Sequence, residues 1–426
     1  MTMLIFIGAL LGTMALGLPI AFALLVTGLA LMFWLGMTDP QIVMQNMWDG
    51  ANSFPLLAVP FFMVAGEFMN AGGMTRRIIA IAMAWVGHIR GGLGYVAVIA
   101  AIIMASLSGS AVADTAALAA VLLPMMRSAN YDVHRAGGLI GAGGIIAPII
   151  PPSIPMILYG VSGQVSVTKL FMAGIVPGIL MGLALILTWR FYAHKERVQV
   201  APKAPLRERL RKTGEGFWAL LLPIVIIGGL KTGIFTPTEA AVTAAAYSLF
   251  VGVCVYREIR LVDTFGLFLN AAKTTSVVMF LVAAASVSAW LITAADIPMQ
   301  LAGMLAPVMD NPKLLTLTLM IMVLVVGTAM DLTPTVLIMT PVLMPILKQG
   351  NVDPVYFGVL FIMNVSIGLI TPPVGTVLNV VCGVGRLSMD KLIKGIWPFL
   401  VAEAAVLLLL VACPSLVMVP LRWMTS

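Results

Sequence analysis

The sequence predicts an all-α, polytopic membrane protein built from two related halves, and three observations predict it. Of 426 residues, 61% are hydrophobic and 10% are charged, against about a quarter charged in soluble domains. Apolar runs of roughly twenty residues, the length that crosses a hydrocarbon core as a helix, follow one another with brief polar breaks, which allows about ten to fourteen membrane segments. The same polar interruptions then recur in the same order in both halves.

Met3 to Trp34 is apolar and lacks a basic n-region or a small-residue cleavage site. It therefore reads as membrane helix over 4–35 rather than as a removable signal. Near 46–73, the stretch Ser53-Phe-Pro-Leu-Leu-Ala-Val-Pro60 places prolines inside an apolar run. Backbone freed in this way is tolerated only where protein or trapped water satisfies it, so a helical hairpin that enters and returns is expected there. Helices follow near 78–105, 111–127, 137–160 and 170–193. A loop at 194–215 contains Pro202 and Pro205 and ends the first repeat, 1–193. Arg190 at its edge and Lys195, Arg197, Lys203, Arg207, Arg209, Arg211 and Lys212 within it crowd this stretch, and the positive-inside rule assigns it to the cytoplasm. That placement accounts for the formal charge of +7 without a nucleic-acid partner.

The second repeat, 216–426, gives helices near 216–233 and 238–256. A second hairpin is expected near 273–307, around Ala283-Ala-Ala-Ser-Val-Ser288, and helices follow near 314–328, 333–347, 355–384 and 393–421. Internal duplication is read from matched spacing. Gly109-Ser-Ala-Val-Ala-Asp114 is followed ten residues after its Asp by Pro124, and Gly327-Thr-Ala-Met-Asp331 is followed at the same interval by Pro341. Each half then carries a double proline, in Ala147-Pro-Ile-Ile-Pro-Pro-Ser153 and Ile370-Thr-Pro-Pro-Val-Gly375, at 37 and 41 residues from its Asp. Paired interrupted segments of this kind point to a transporter's binding site.

The chemistry follows from the interruptions. Ser106, Ser108, Gly109, Ser110 and Asp114 break an apolar helix near 106–114 with hydroxyls, a glycine and a carboxylate. An unwound turn exposes carbonyl oxygens, which with serine oxygens make the hard cage a dehydrated sodium ion needs. Gly327, Thr328, Asp331, Thr333 and Thr335 repeat the pattern near 327–333. Thr371, Pro372, Pro373 and Gly375 add a break near 371–375 in which missing donors leave carbonyls unpaired. Small and hydroxylated residues also serve close helix packing, which is the competing reading for the serines. A carboxylate within an apolar span is a functional candidate by default, which favours Asp114 and Asp331. Glu67, Glu239, Asp296 and Glu403 sit near span ends or near Gly or Pro, where solvated or capping roles suffice. Seven tryptophans near span ends, Trp189 among them, read as interfacial anchors. His88, His134 and His194 lie beside Arg or Lys in polar breaks and suit the interface. Cys254, Cys382 and Cys413 show no metal or redox spacing. No GxxxxGK[ST], HExxH or GxSxG motif occurs, so the expectation is a gradient-driven carrier with no bound cofactor, not an enzyme.

At this point the residues resemble the large membrane subunit of tripartite ATP-independent periplasmic (TRAP) transporters, DctM-like, within the wider ion transporter superfamily. The segments that carry the resemblance are Pro55-Leu-Leu-Ala-Val-Pro-Phe-Phe-Met-Val-Ala-Gly66, Ser106 to Asp114, Ala147 to Ser153, Thr236-Pro-Thr-Glu-Ala240 and Ile370 to Gly375. The resemblance implies inverted repeats, a scaffold and a moving transport domain with two hairpins and two broken helices. It also implies an elevator motion coupled to sodium in a bacterial inner membrane. The partners it implies are a small membrane subunit on a separate chain and a periplasmic substrate-binding protein that delivers a small organic anion. Sodium would be held at Ser106, Ser108, Gly109, Ser110, Asp114, Gly327, Thr328, Asp331, Thr371 and Gly375. Substrate would lie between hairpin tips, beside Asn52, Ser53, Pro60, Ser286 and Ser288, with Pro152 and Ser153 of the first double-proline break. No Arg or Lys lies within these motifs, so bound sodium and helix N-termini are the expected counter-charges. Two alternatives remain open from sequence: a stand-alone ion or metabolite antiporter, and an intramembrane aspartyl protease using Asp114 and Asp331 as a dyad. The missing GxGD-type setting and the duplicated proline breaks argue against the second.

Overall fold

The computed structural model describes residues 1–194 and 202–425, which leaves Lys195 and Arg197 of the basic loop outside it. Among the described residues every regular element is helical. The first half contains α1 (Thr2–Ala15), α2 (Ile20–Trp34), α3 (Pro40–Ala51), α4 (Ala58–Ala71), α5 (Met74–Val86), α6 (Gly92–Ser108), α7 (Ala111–Ser128), α8 (Val133–Gly144), α9 (Ile154–Ser162) and α10 (Val167–Ala193). The second contains α11 (Leu206–Glu215), α12 (Phe217–Lys231), α13 (Pro237–Phe250), α14 (Thr264–Ala294), α15 (Ile297–Met304), α16 (Ala306–Met309), α17 (Pro312–Ala329), α18 (Leu332–Gln349), α19 (Pro354–Gly368), α20 (Thr376–Gly385), α21 (Met389–Ala412) and α22 (Ser415–Thr425).

Among the described residues, seven helical stretches are long and apolar enough to cross a membrane by themselves. Six shorter apolar helical stretches of 10–17 residues accompany them among the described residues. Seventeen residues rise only about 26 Å, near the lower limit for crossing a core about 30 Å thick. Continuous apolar stretches in the sequence thus conceal internal breaks. The expected helix 4–35 is α1 and α2 folded against each other, because Gly17 adopts φ +81 and Pro19 restarts the helix. The expected helix 78–105 divides at Gly87–Gly91, where Gly91 adopts φ +75. The expected helix 393–421 stops at Cys413–Pro414. Part of the loop 194–215 is helical, as α11.

Both hairpins expected from sequence fall elsewhere. Near 46–73, α3 and α4 are separated by Asn52, Ser53 and a 3-10 turn over Phe54–Leu57, and each packs on α14 rather than back on the other. Near 273–307, the chain is one unbroken 31-residue helix, α14, through Ala294. Its small residues serve packing. A Cβ on Gly50 would strike the Ser286 side chain, and one on Gly28 would meet Val287 and Leu291 at 3.3 Å. The helix pairs α14–α3 and α14–α2 therefore approach closely by virtue of small side chains, as membrane helices commonly do.

Two other pairs of helices meet at tips. Helices α6 and α7 fold against one another across Gly109–Ser110. Helices α17 and α18 meet at Met330–Asp331 and splay, both touching α19. Behind each tip lies an interrupted pair, α8 with α9 around Pro151–Pro152, and α19 with α20 around Pro372–Pro373, followed by a long helix, α10 or α21. The expected continuous helices 137–160 and 355–384 are therefore broken at their double prolines. The same order of elements appears twice.

The core between these units is tightly packed. Trp189 is fully buried and donates its indole N–H to Gly91 O at 2.8 Å. This overturns its reading as an interfacial anchor. Trp34, Trp48, Trp85, Trp218, Trp397 and Trp423 are exposed.

Candidate functional site

The first tip is set by Gly109. Helix α6 ends when Gly109 takes φ +62, and α7 restarts with Ser110 as N-cap, its hydroxyl accepting from Ala113 N at 3.4 Å. The Gly109 backbone lies directly on the first double-proline break, since a Cβ there would overlap Pro152 O. Ser153, fully buried, ties that break together by donating to Pro148 O at 2.5 Å and accepting from Met156 N at 3.2 Å. Pro152 and Ser153 thus stand behind the tip as its support.

Within the tip, the Ser108 hydroxyl donates to Asp114 Oδ1 at 2.5 Å and accepts from Ser110 N at 3.1 Å. Asp114 is 3% exposed, and its Oδ2 has no partner among the described residues. The same is true of the neighbouring Thr115 hydroxyl, which packs against Gly144 at the end of α8. Ser106 donates back along its helix to Ile103 O at 2.6 Å.

The second tip differs in detail. Met330 and Asp331 are extended, and Asp331 precedes α18 as N-cap without a side-chain cap bond. Its Oδ1 accepts from Thr376 Oγ1 at 3.5 Å, at the start of α20. Gly327 faces Val365 of α19, while Gly368 sits so close to Gly327 that it has no room for a Cβ. Thr328, Thr335 and Thr371 each bond a carbonyl on their own helix, Val325 O, Asp331 O and Ile367 O respectively, at 2.7–2.8 Å. Gly375 takes φ +45 to start α20.

The two tips meet. A cavity of about 90 Å³ is lined by Gly109, Ser110 and Ala111 from the first tip and by Asp331, Leu332 and Thr333 from the second. Pro148 and Ile154 of one break and Leu369 of the other also line it. Three helix N-termini, those of α7, α18 and α9, begin at this cavity. No arginine or lysine lines it.

Asn52, Ser53, Pro60, Ser286 and Ser288 are not brought to these tips. Ser53 and Ser286 share a separate cavity of about 430 Å³ with Asp49 and Trp290, facing Leu337 and Pro341 of α18. Asn52 closes α3 at its exposed end, and Pro60 lies in the first turn of α4. Ser286 bonds Val282 O within α14, and buried Ser288 donates to Leu24 O of α2 at 2.7 Å. Ser288 thus ties α14 to α2 and Ser286 satisfies its hydroxyl within α14, so neither serine interrupts the helix where the hairpin was expected.

Residues 7–416 match the family described as tripartite ATP-independent periplasmic transporter, DctM component. The chain belongs to this family. It is 57% identical to the 2,3-diketo-L-gulonate TRAP transporter large permease protein of Escherichia coli, over 99% of this chain and all of that one. It is 38% identical to the sialic acid TRAP transporter large permease protein of Vibrio cholerae, over 95% of each. The solved structure of the Alcanivorax borkumensis YdaH transporter shares the fold, with a TM-score of 0.65 over 93% of this chain and 90% of that one at 14% identity. The chain is therefore a multi-pass inner-membrane TRAP large permease and not an enzyme.

Several polar groups of this TRAP permease escaped the sequence reading. Thr115 directly follows Asp114, and that adjacency is the signal the sequence offers for it. Ser366, fully buried with a hydroxyl unpartnered among the described residues, and Asn364, which donates to Met320 O at 2.6 Å, lie on α19 just before its break. The signal was two polar residues in Asn364-Val-Ser366, within an otherwise apolar run. Glu403 is neither solvated nor a cap: it is fully buried in α21 with both carboxyl oxygens unpartnered among the described residues. Glu239 does cap, forming a reciprocal capping box with Thr236 at the start of α13.

Proposed function

We propose that this permease imports a small organic acid by sodium symport, receiving it from a periplasmic binding protein and working with a small membrane subunit on a separate chain. The observation that carries the reading is the inter-tip cavity, where Asp331 and three helix N-termini converge without any basic side chain. Each N-terminus supplies roughly half a positive charge. Asp331 at the cavity and Asp114 one turn behind it outweigh that supply when both are ionised. An anionic substrate then requires a bound cation, which is the electrostatic basis of obligatory coupling.

The oxygen atoms left without partners support the choice of ion. Asp114 Oδ2, Thr115 Oγ1 and, in the second half, Ser366 Oγ are buried oxygens, and a hard monovalent cation takes oxygen donors of this kind at broken transporter helices. Sodium is a co-substrate in this scheme and enters with the acid. Inverted repeats with an elevator-like movement of the two tips and their supports, relative to α3, α4 and α14, fit the repeated order of elements. The 57% identical relative is named for a keto sugar acid, and acids of that class are the first substrates to test.

The test is uptake of radiolabelled 2,3-diketo-L-gulonate into proteoliposomes holding the permease and its small subunit, with binding protein outside. Uptake is expected with an inward sodium gradient and is expected to cease when choline replaces sodium. Equal uptake in choline rejects the sodium coupling. Uptake without binding protein at an undiminished rate rejects the tripartite reading and returns the stand-alone antiporter.

A further inference from the structure

Helix α11 is unlike the helices around it. It carries Arg207, Arg209, Arg211 and Lys212 against Glu208 and Glu215, yet Leu206 and Leu210 on the same helix are 64% and 57% exposed. The two leucines are four residues apart and share one stripe; Arg207 and Arg211, also four apart, form the next stripe round the helix, about 100° away. The opposite flank is taken by the protein. Thr213 accepts from the Trp85 indole at 3.0 Å, and Arg209 lies over the same ring at 5.8 Å. Helix α11 packs along α5 through these contacts.

Its orientation is equally specific. The axis of α11 bends 57° from that of α12, into which it leads. Trp85, which bonds Thr213 of α11, and Phe217 and Trp218, which begin α12 directly after it, are exposed, and such rings sit at the headgroup boundary of a bilayer. A charged helix with an exposed leucine stripe, bent away from the axis of α12 and flanked by exposed tryptophans, has the anatomy of a helix lying in the membrane interface.

We propose that α11 is a docking surface for anionic phospholipid of the cytoplasmic leaflet, with Leu206 and Leu210 among the acyl chains and Arg207 and Arg211 on the phosphodiester. Charge complementarity selects the occupant. The helix has four basic side chains against two acidic ones, and Lys203 adds another exposed cation just before it. Arg211 also contacts Glu215 at 3.5 Å, but that pair is exposed and Glu215 is shared with Lys212 at 2.9 Å. A weak surface pair of this type yields readily to a phosphate. Because α5 follows directly on α4, which packs against α14, lipid held by α11 fixes the height of that helix group in the bilayer.

Native mass spectrometry of the purified full chain, released from equimolar phosphatidylglycerol and phosphatidylcholine, tests the proposal. The chain is expected to retain phosphatidylglycerol in excess. Arg207→Gln with Arg211→Gln is expected to lower that ratio by roughly fivefold per charge removed, whereas Arg207→Lys with Arg211→Lys preserves most of it. Leu206→Ser with Leu210→Ser is expected to reduce binding of both lipids alike. An unchanged ratio in the glutamine variant overturns the proposal, as does equal loss in the lysine variant. Displacement of the bound lipid by millimolar inorganic phosphate also overturns it, in favour of a soluble anion.

Discussion

Replacing Gly109 by alanine probes the first tip at its most constrained point. The residue sits at φ +62, where a side chain is disfavoured, and its Cβ would overlap Pro152 O with Ser153 Cα at 3.1 Å. Left-handed backbone costs a non-glycine residue about 1–2 kcal/mol. Forcing a methyl group into packed backbone adds about 1–3 kcal/mol, because neither Pro152 nor buried Ser153 has a flexible end that can yield. Together these predict a loss of about 2–5 kcal/mol, concentrated where the tip rests on the double-proline break. Gly8 provides the control: it lies within α1 with nothing near its would-be Cβ, so alanine there is expected to leave stability unchanged or raise it by up to about 1 kcal/mol. Thermal stability in detergent and solute uptake should both fall steeply in Gly109→Ala and remain intact in Gly8→Ala. Wild-type stability and flux in Gly109→Ala would refute the packing of the tip on the break.

Three further outcomes follow from single contacts. Ser108→Ala removes the side-chain donor that buried Asp114 has among the described residues; a hydrogen bond to a charged group is worth about 1.5–3 kcal/mol, so under the proposed sodium coupling half-saturation in sodium titrations of uptake should rise about tenfold or more. Asn364→Ala strips the link from α19 to Met320 O of α17 and should destabilise the permease by about 1–3 kcal/mol, read from the unfolding midpoint. Glu403→Leu replaces a buried, unpartnered carboxyl by an apolar side chain and should raise that midpoint, because an unsatisfied polar group costs about 1–3 kcal/mol on protein scales; a lower midpoint would mean that Glu403 has a partner.

The sequence was legible where polar residues had no structural alternative. Gly109 next to Ser110, and Asp331 after Gly327, interrupt apolar helices, and each double proline removes two donors; all four positions are breaks in the structure. It was misleading where small residues had two uses. Ala283 to Ser288 looks like an unwound segment, yet Ser286 and Ser288 satisfy their hydroxyls on carbonyls and let α14 run through. Pro55 and Pro60 begin helical turns instead of bending a hairpin. Gly17, Pro19, Gly87 and Gly91 did mark the divisions of 4–35 and 78–105, but twenty-residue hydropathy windows average over such short breaks. What no local pattern gives is which tip meets which: Ser110 and Asp331 share a cavity across 221 residues of chain.

That meeting is open to direct test by cross-linking in a background where Cys254, Cys382 and Cys413 are replaced by serine. Ser110→Cys with Thr333→Cys places one thiol on each tip, both lining the same small cavity. Mild oxidation is expected to join them, abolish uptake and have both effects reversed by reductant, with neither single variant affected. If the pair stays reduced under conditions that oxidise an adjacent control pair within α7, the tips do not face each other and no shared site exists between the two halves.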